Sequence, residues 1–430
     1  MPTAVPASQA FDTVRRRNAV TLLFVFLMAL ALTVRIIIAP DIMDRVVAYT
    51  ADGGAFYEKL HFGSYLIFLM LPVVLLARPF RLEGIEIDKF RALFWYMVML
   101  SGLVGLFLVL GRAGAVLFVV DSYLVAAAAG MILLALGPAA RRALGEFVLV
   151  LLILSAVIGI GEAVTEKRLI PRALMELTFR PLGLSEHPLA LGAFCAMAIG
   201  FVPLAPWRVW VRVLAALVLF IGCAVSGARF ALLLAAAQVL ALLILLPWPG
   251  LSRRHARTGK FFVLLLTLVG GVGLIGMLAA GGFLERFGAT IFDENFFARV
   301  TVNEVFGMVG WQEWLFGMPP AELLALVNER LGLPYIESAQ VVIGLTLGVP
   351  LGLCFAGVTL WIFLVLLRGV PLAGRIGALT MFLASASNNA LSSKQPAITV
   401  LFVLLLAFAV ARPGGAPARV EGHAGRPREA

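Results

Sequence analysis

The chain has 430 residues, of which 62% are apolar and 13% charged. An ordinary soluble domain has about 45–50% apolar and about 25% charged residues. Mean hydropathy is +1.02, which excludes a soluble enzyme, a disordered chain and a fibrous repeat. The net charge of +10 would suggest nucleic acid in a soluble chain. Beside so many apolar runs it reads as basic loops facing anionic lipid, and no nucleic-acid partner is expected.

A membrane helix needs about 20 apolar residues, and the apolar runs here are helix-length. They lack the two-residue alternation of a β-barrel. The expected fold is all-α: a polytopic membrane protein with about 12 transmembrane helices and one large helical outer loop. The first run, 19–40, follows Arg15, Arg16 and Arg17 and has no small-x-small site after it, so it reads as a retained signal anchor. Further spans fall at 63–80, 92–110, 120–137, 146–164, 188–206, 209–225, 228–248, 261–281, 349–367, 376–392 and 396–411. Residues 1–18 then form a cytoplasmic N-terminus, 19–281 hold the first nine spans, and 337–411 hold a short helix plus the last three. The Gly/Pro/Arg-rich tail 412–430 reads as disordered.

With the N-terminus inside, 21 of the 34 basic residues fall on the inner side and 12 on the outer, Arg35 lying within the first span. That bias places both termini in the cytoplasm. The loop 282–336 is then outside. Its aromatic residues, among them Phe306, Trp311, Trp314 and Phe316, imply packing rather than a flexible linker. Asn295 to Met308 reads as an amphipathic helix. A second helical run follows Pro319 and Pro320, with Leu323, Leu324, Val327 and Leu331 on one face and Gly332 as its stop.

No P-loop, GxSxG or HExxH stands in the sequence, and the four histidines are scattered. No metal or cofactor is expected. Cys195, Cys223 and Cys354 lie in apolar runs and read as small buried hydrophobes. Arg35, Asp121 and Glu162 read as the few charges near mid-membrane.

The informative charges stand at the outer ends of helices. Thr178-Phe179-Arg180-Pro181-Leu182-Gly183-Leu184-Ser185-Glu186-His187-Pro188 precedes an apolar helix, and Arg180 there has a planar fork of donors suited to phosphate or to lipid headgroups. Ser226-Gly227-Ala228-Arg229 fills a very short turn between two apolar helices. Arg229 there sits nearly in the apolar zone, where an ionisable residue is a functional candidate by default. Glu337 opens an apolar stretch that runs from Ser338 to Leu367 and is broken near Gly348-Val349-Pro350. A carboxylate at a helix start is favoured by the helix dipole whether or not it does chemistry.

These segments, in this order and with the large loop before the third, resemble the Wzy polymerase and O-antigen ligase superfamily. Its members are polytopic inner-membrane glycosyltransferases acting on lipid-diphosphate-linked glycans. The Arg180 segment is similar to the family's Arg-x-x-Gly stretch. Ser226–Arg229 is similar to its Ser-x-Ser-Arg turn, with Ala228 replacing the second Ser. Arg299 with Trp311 and Leu315-Phe316-Gly317, and Glu337 through Gly352, resemble its later segments. Ligases of the superfamily carry a His near the end of the large loop, and residues 282–336 contain none. That favours polymerase over ligase.

The resemblance implies polymerisation of polyprenyl-diphosphate-linked repeat units into exopolysaccharide or O-antigen, without a metal, at the periplasmic face of the bacterial inner membrane. It implies catalytic roles for Arg180 and Arg229 on the diphosphate and for Glu337 as the base. Arg299, His187 and Glu186 are the expected substrate-binding residues, the last two doubling as reserve bases. The partners are lipid-linked glycans, membrane lipid and a possible chain-length regulator. The alternatives are an O-antigen ligase and a lipid-linked sugar transporter or flippase.

Overall fold

A computed structural model describes residues 7–50, 55–77, 80, 82–172, 179–247, 252–280 and 294–410. The expected disorder of the tail 412–430 and the part of the outer loop before residue 294 lie outside the described residues. Among the described residues the chain is helical, with no strand.

The chain opens with α1 (Ala7–Ile37), a single turn α2 (Pro40–Met43), α3 (Phe62–Ala77) and α4 (Ile85–Val109). A π-turn at Val119–Leu124 leads into α5 (Val125–Ala135), followed by α6 (Pro138–Thr165). Next come α7 (Pro188–Phe201), α8 (Val209–Val225), α9 (Arg229–Leu245) and α10 (Arg253–Ala280). Several helices start earlier than the apolar runs: α4 at Ile85 rather than 92, α6 at Pro138 rather than 146, α10 at Arg253 rather than 261. Their first two turns carry charges, as at Glu86, Asp88, Lys89 and Arg91 of α4. Such charges end a hydropathy window without breaking a helix, and Pro138 stands at the first position of α6, where its missing N–H costs nothing.

Among the described residues, five stretches are long and apolar enough to cross a membrane: Asn18–Ile37, Ile85–Val109, Ala113–Ala135, Pro138–Thr165 and Val349–Leu366. Shorter apolar helices stand at most of the other expected spans. The core is built on two helices of 11 residues each. Every residue of α5 is buried, and so is every residue of the last helix, α17 (Ala397–Ala407), which packs on it. Small residues let the backbones close up. A Cβ on Gly200 of α7 would stand 2.5 Å from the Cα of Gly377 in α16 (Leu372–Ala386), the close approach that small residues give to membrane helices. The outward faces stay apolar. Leu266, Val272 and Met277 of α10, Trp210 and Val213 of α8, and Leu69 and Leu76 of α3 are all exposed.

From residue 294 on, the loop expected on the outer side folds as a small cap. It comprises α11 (Glu294–Thr301), a 3-10 turn Val302–Gly307, α12 (Trp311–Phe316) and α13 (Pro320–Leu331). The region expected as one helix to Met308 therefore changes pitch at Val302. The cap has its own core of Val302, Val305, Met318, Leu323 and Val327, closed by Val341 and Leu345 of α14 (Ala339–Leu347). Leu324, expected on the buried face of α13, is exposed. Gly348, at φ +84°, separates α14 from α15 (Val349–Leu366). A side chain there would be strained by φ and would meet the Leu315 carbonyl at 2.3 Å, so the break and the seating of the cap share one residue. Arg112 fastens the cap from the neighbouring loop, donating to the carbonyls of Phe316 and Thr346 at 2.5 and 2.8 Å.

Candidate functional site

Arg180 and the Ser226–Arg229 turn, 46 residues apart, meet. The Arg180 side chain is buried. Its Nε and Nη2 donate to the Ser226 carbonyl at 3.2 and 3.0 Å. The turn is tight because α8 ends at Val225 and α9 begins at Arg229. Ser226 Oγ donates to the Cys223 carbonyl at 2.7 Å and accepts the Ala228 N–H at 3.2 Å. Helix α7 lies against this turn at a glycine: a Cβ on Gly192 would stand 2.5 Å from the Ala228 Cβ. Arg229 is partly buried at the first position of α9. Thr178 of the same motif lies outside the described residues.

A carboxylate that the sequence placed at mid-membrane holds the Arg180 loop. Glu162 stands in the last turn of α6. Its Oε2 accepts the N–H groups of Leu182 and Gly183 at 2.8 and 2.9 Å, and its Oε1 accepts that of Leu169 at 3.0 Å. Gly183 has φ +56°, and a Cβ there would overlap the Ser155 carbonyl at 2.2 Å. The loop can lie this close to α6 only as glycine. Two successive N–H groups on one carboxylate oxygen form an anion-binding concavity that the chain fills itself.

Glu186 follows at the foot of α7, partly buried. Burial raises its carboxyl to about 7, against the opposing pull of the Arg35 and Arg172 guanidiniums. His187 caps α7, its Nδ1 accepting the Leu189 N–H at 3.2 Å. Arg172 pairs with Asp41 at 3.2 Å and donates to the Ile37 carbonyl at 3.0 Å.

Arg35 and Asp121 belong to the same end of the bundle as Glu186. Arg35 lies in the last turn of α1 and Asp121 in the π-turn ahead of α5. They form a buried ion pair of 3.1 Å. The Asp121 carboxylate also accepts the Tyr49 and Ser64 hydroxyls and the His61 N–H, the last at 3.2 Å. Lys394 stands 4.3 Å from the Tyr49 ring centroid and donates to the Tyr49 carbonyl at 2.7 Å. Burial pulls the Lys394 ammonium down to about 8. An open cleft of about 270 Å³ lies beside this network, lined by Val47, Tyr57, Glu58, Leu60, Phe62 and Tyr65. Sequence reasoning missed the network because its members come from five separate segments. The only signal was that Arg35 and Asp121 stand in otherwise apolar runs.

The third candidate segment sits in the cap. Ser338 is the N-cap of α14, its side chain accepting the Val341 N–H, so Glu337 stands one residue ahead of the cap rather than on the helix. Its Oε2 is held by Arg299, at 2.8 Å from Nε and 2.6 Å from Nη2. Two residues expected to act separately are thus one ion pair. The start of α14 is fastened to the 386–390 segment by the Ala339 N–H on the Asn388 carbonyl at 3.3 Å and by Gln340 on Ala386 at 2.9 Å.

Cys195 and Cys223 are buried as expected, but Cys354 is exposed, on a face of α15 that does not pack inward. Among the described residues, no group of three or more His, Cys, Asp or Glu is placed to hold a metal ion. No family model matches the sequence, and no curated protein is significantly similar to it.

Proposed function

We propose that the chain is a twelve-span inner-membrane glycosyltransferase of the Wzy type, with both termini cytoplasmic. It joins polyprenyl-diphosphate-linked repeat units at the periplasmic face. The observation that carries this reading is the fastening of buried Arg180 onto the Ser226 carbonyl. It turns two weak motifs into one basic unit at a single helix end, beside Arg229.

The reaction needs little else. A sugar hydroxyl of the incoming unit attacks the anomeric carbon of the growing glycan. The C–O bond to the diphosphate breaks, and the proton of the hydroxyl passes to a base. Negative charge grows on the leaving diphosphate, and guanidinium groups in a site poor in water stabilise it. Arg229 is the first candidate for that contact, and Arg180 shapes the turn that presents it. Glu186 is the better-tuned base, because a carboxyl near 7 matches proton transfer at neutral pH. Glu337 must first leave Arg299 to serve. The exposed apolar flanks of α3, α8 and α10 suit a bilayer and the prenyl chains. The buried charges Arg35, Asp121 and Glu162 stand at outer helix ends, which speaks against a transporter with charges across its midplane.

Purified protein reconstituted with a lipid-linked repeat unit tests the reading. A ladder of longer glycans supports it, and Arg229→Ala should erase the ladder while the protein still inserts. Movement of the lipid across the bilayer without elongation would make the chain a flippase. Reporter fusions should be active in the periplasm within 300–330 and silent at 255.

A further inference from the structure

The end of the bundle opposite Glu162 carries a second charged cluster; that this end is the inner one rests on the topology proposed above, while the cluster itself does not. Arg141 and Glu162 are 21 residues apart on α6, so at about 1.5 Å per residue they stand roughly 32 Å apart. That is about the thickness of a bilayer core. Around Arg141, the first turns of α4 and α6 meet the ends of α15 and α17. Glu86 and Lys89 come from α4, and Arg368 lies just beyond α15. Ile85, Leu134, Leu406, Ala409 and Val410 complete an apolar wall. The Val410 N–H on the Gly369 carbonyl at 2.9 Å holds that wall in place.

The charges here do not balance. Arg141 is paired with Glu86, which leaves Lys89 and Arg368 in excess. Lys89 is 2% exposed, and its Nζ has no hydrogen-bond partner among the described residues. A buried ammonium without a partner is costly, and such groups are normally met by a counter-charge or by water. The cavity beside it has about 10 Å³ of free room, enough for about one water. An anion larger than water would have to stand at the mouth, against Arg368 and Arg141, and reach Lys89 through one such water.

We propose that this cluster binds a phosphate oxyanion at the inner surface. The phosphate comes from an anionic lipid headgroup, whose chains would lie on the apolar wall, or from a soluble phosphate. Basic pockets between helices at the cytoplasmic side are suited to such headgroups.

A ligand that binds only the folded state raises its stability by RT ln(1 + L/Kd), with L the free ligand concentration, so the unfolding midpoint climbs with ligand concentration. The test is thermal unfolding of the full chain in neutral detergent, read by tryptophan fluorescence. The probes are phosphatidylglycerol, phosphatidylcholine and inorganic phosphate, each added separately. Phosphatidylglycerol should raise the midpoint by a few degrees in the wild type. The rise should fall to less than half in Lys89→Met, which keeps the stem and removes the charge. Arg368→Gln, at the mouth, should reduce it likewise and keeps the test open if Lys89→Met does not fold. A rise with phosphatidylglycerol alone assigns the site to a headgroup, and an equal rise with inorganic phosphate assigns it to a soluble anion. The proposal falls if neither probe shifts the wild type. It also falls if phosphatidylcholine shifts it as much as phosphatidylglycerol, or if both variants respond like the wild type.

Discussion

Arg180→Ala separates the architecture of the basic unit from its chemistry. The guanidinium places two N–H groups on one buried carbonyl, at 3.2 and 3.0 Å, and Ser226 is fully buried. A hydrogen bond from a charged donor contributes about 1.5–3 kcal/mol, and a buried acceptor left bare costs about 1–3 kcal/mol. The two overlap, since both count the same carbonyl, so we expect a loss of about 2–4 kcal/mol. In detergent this should appear as a lower unfolding midpoint, and in the reconstituted assay as a loss of elongation. Arg180→Lys can still donate one bond and should recover roughly half of the stability. Elongation should stay depressed in the lysine variant, because a point charge does not hold the turn in the plane that the fork imposes. If Arg180→Ala unfolds like the wild type and elongates normally, the contact with Ser226 holds nothing and the two motifs are not one unit.

Three further outcomes follow from the geometry. If Arg299 and Glu337 act only as an ion pair, exchanging them (Arg299→Glu with Glu337→Arg) should restore most of the elongation lost in either single variant. No restoration, with Glu337→Gln slowed 10²–10⁴-fold, as expected for loss of a base, would return the proton transfer to Glu337. Asp121→Asn leaves Arg35 buried without its counter-charge and should cost about 3–5 kcal/mol, seen as a collapse of folded yield; normal yield would mean that water reaches the pair. Glu186 is raised from 4.5 to about 7, so its neutral form is favoured in the fold. Its contribution to stability is complete below about 4.5 and is lost as pH rises through about 7. Glu186→Gln should flatten the stability profile across that window, and an unchanged profile would refute the assignment.

The hydropathy of the chain determined its helices, because a run of about 20 apolar residues has few other uses. It also determined the kinks and stops that depend on single residues. Gly348 breaks the late apolar stretch and Gly332 ends α13 at φ +67°, each as local backbone chemistry requires. Helix starts were less legible. A charged first turn, as at Lys89 in α4 or Arg141 in α6, reads as loop in a hydropathy window but is ordinary helix at a membrane surface. The charges at these helix ends were visible as residue types, while their partners were not. A carboxylate in an apolar run can be a mid-membrane relay or a clasp at a helix end. Only the packing of α6 against the 180–187 loop decided that Glu162 is a clasp. In the same way, the five segments that build the network around Asp121 and the pairing of Arg299 with Glu337 depend on contacts between residues far apart in the chain. Periodicity and composition describe each helix alone; tertiary structure decides which charge each helix end must neutralise.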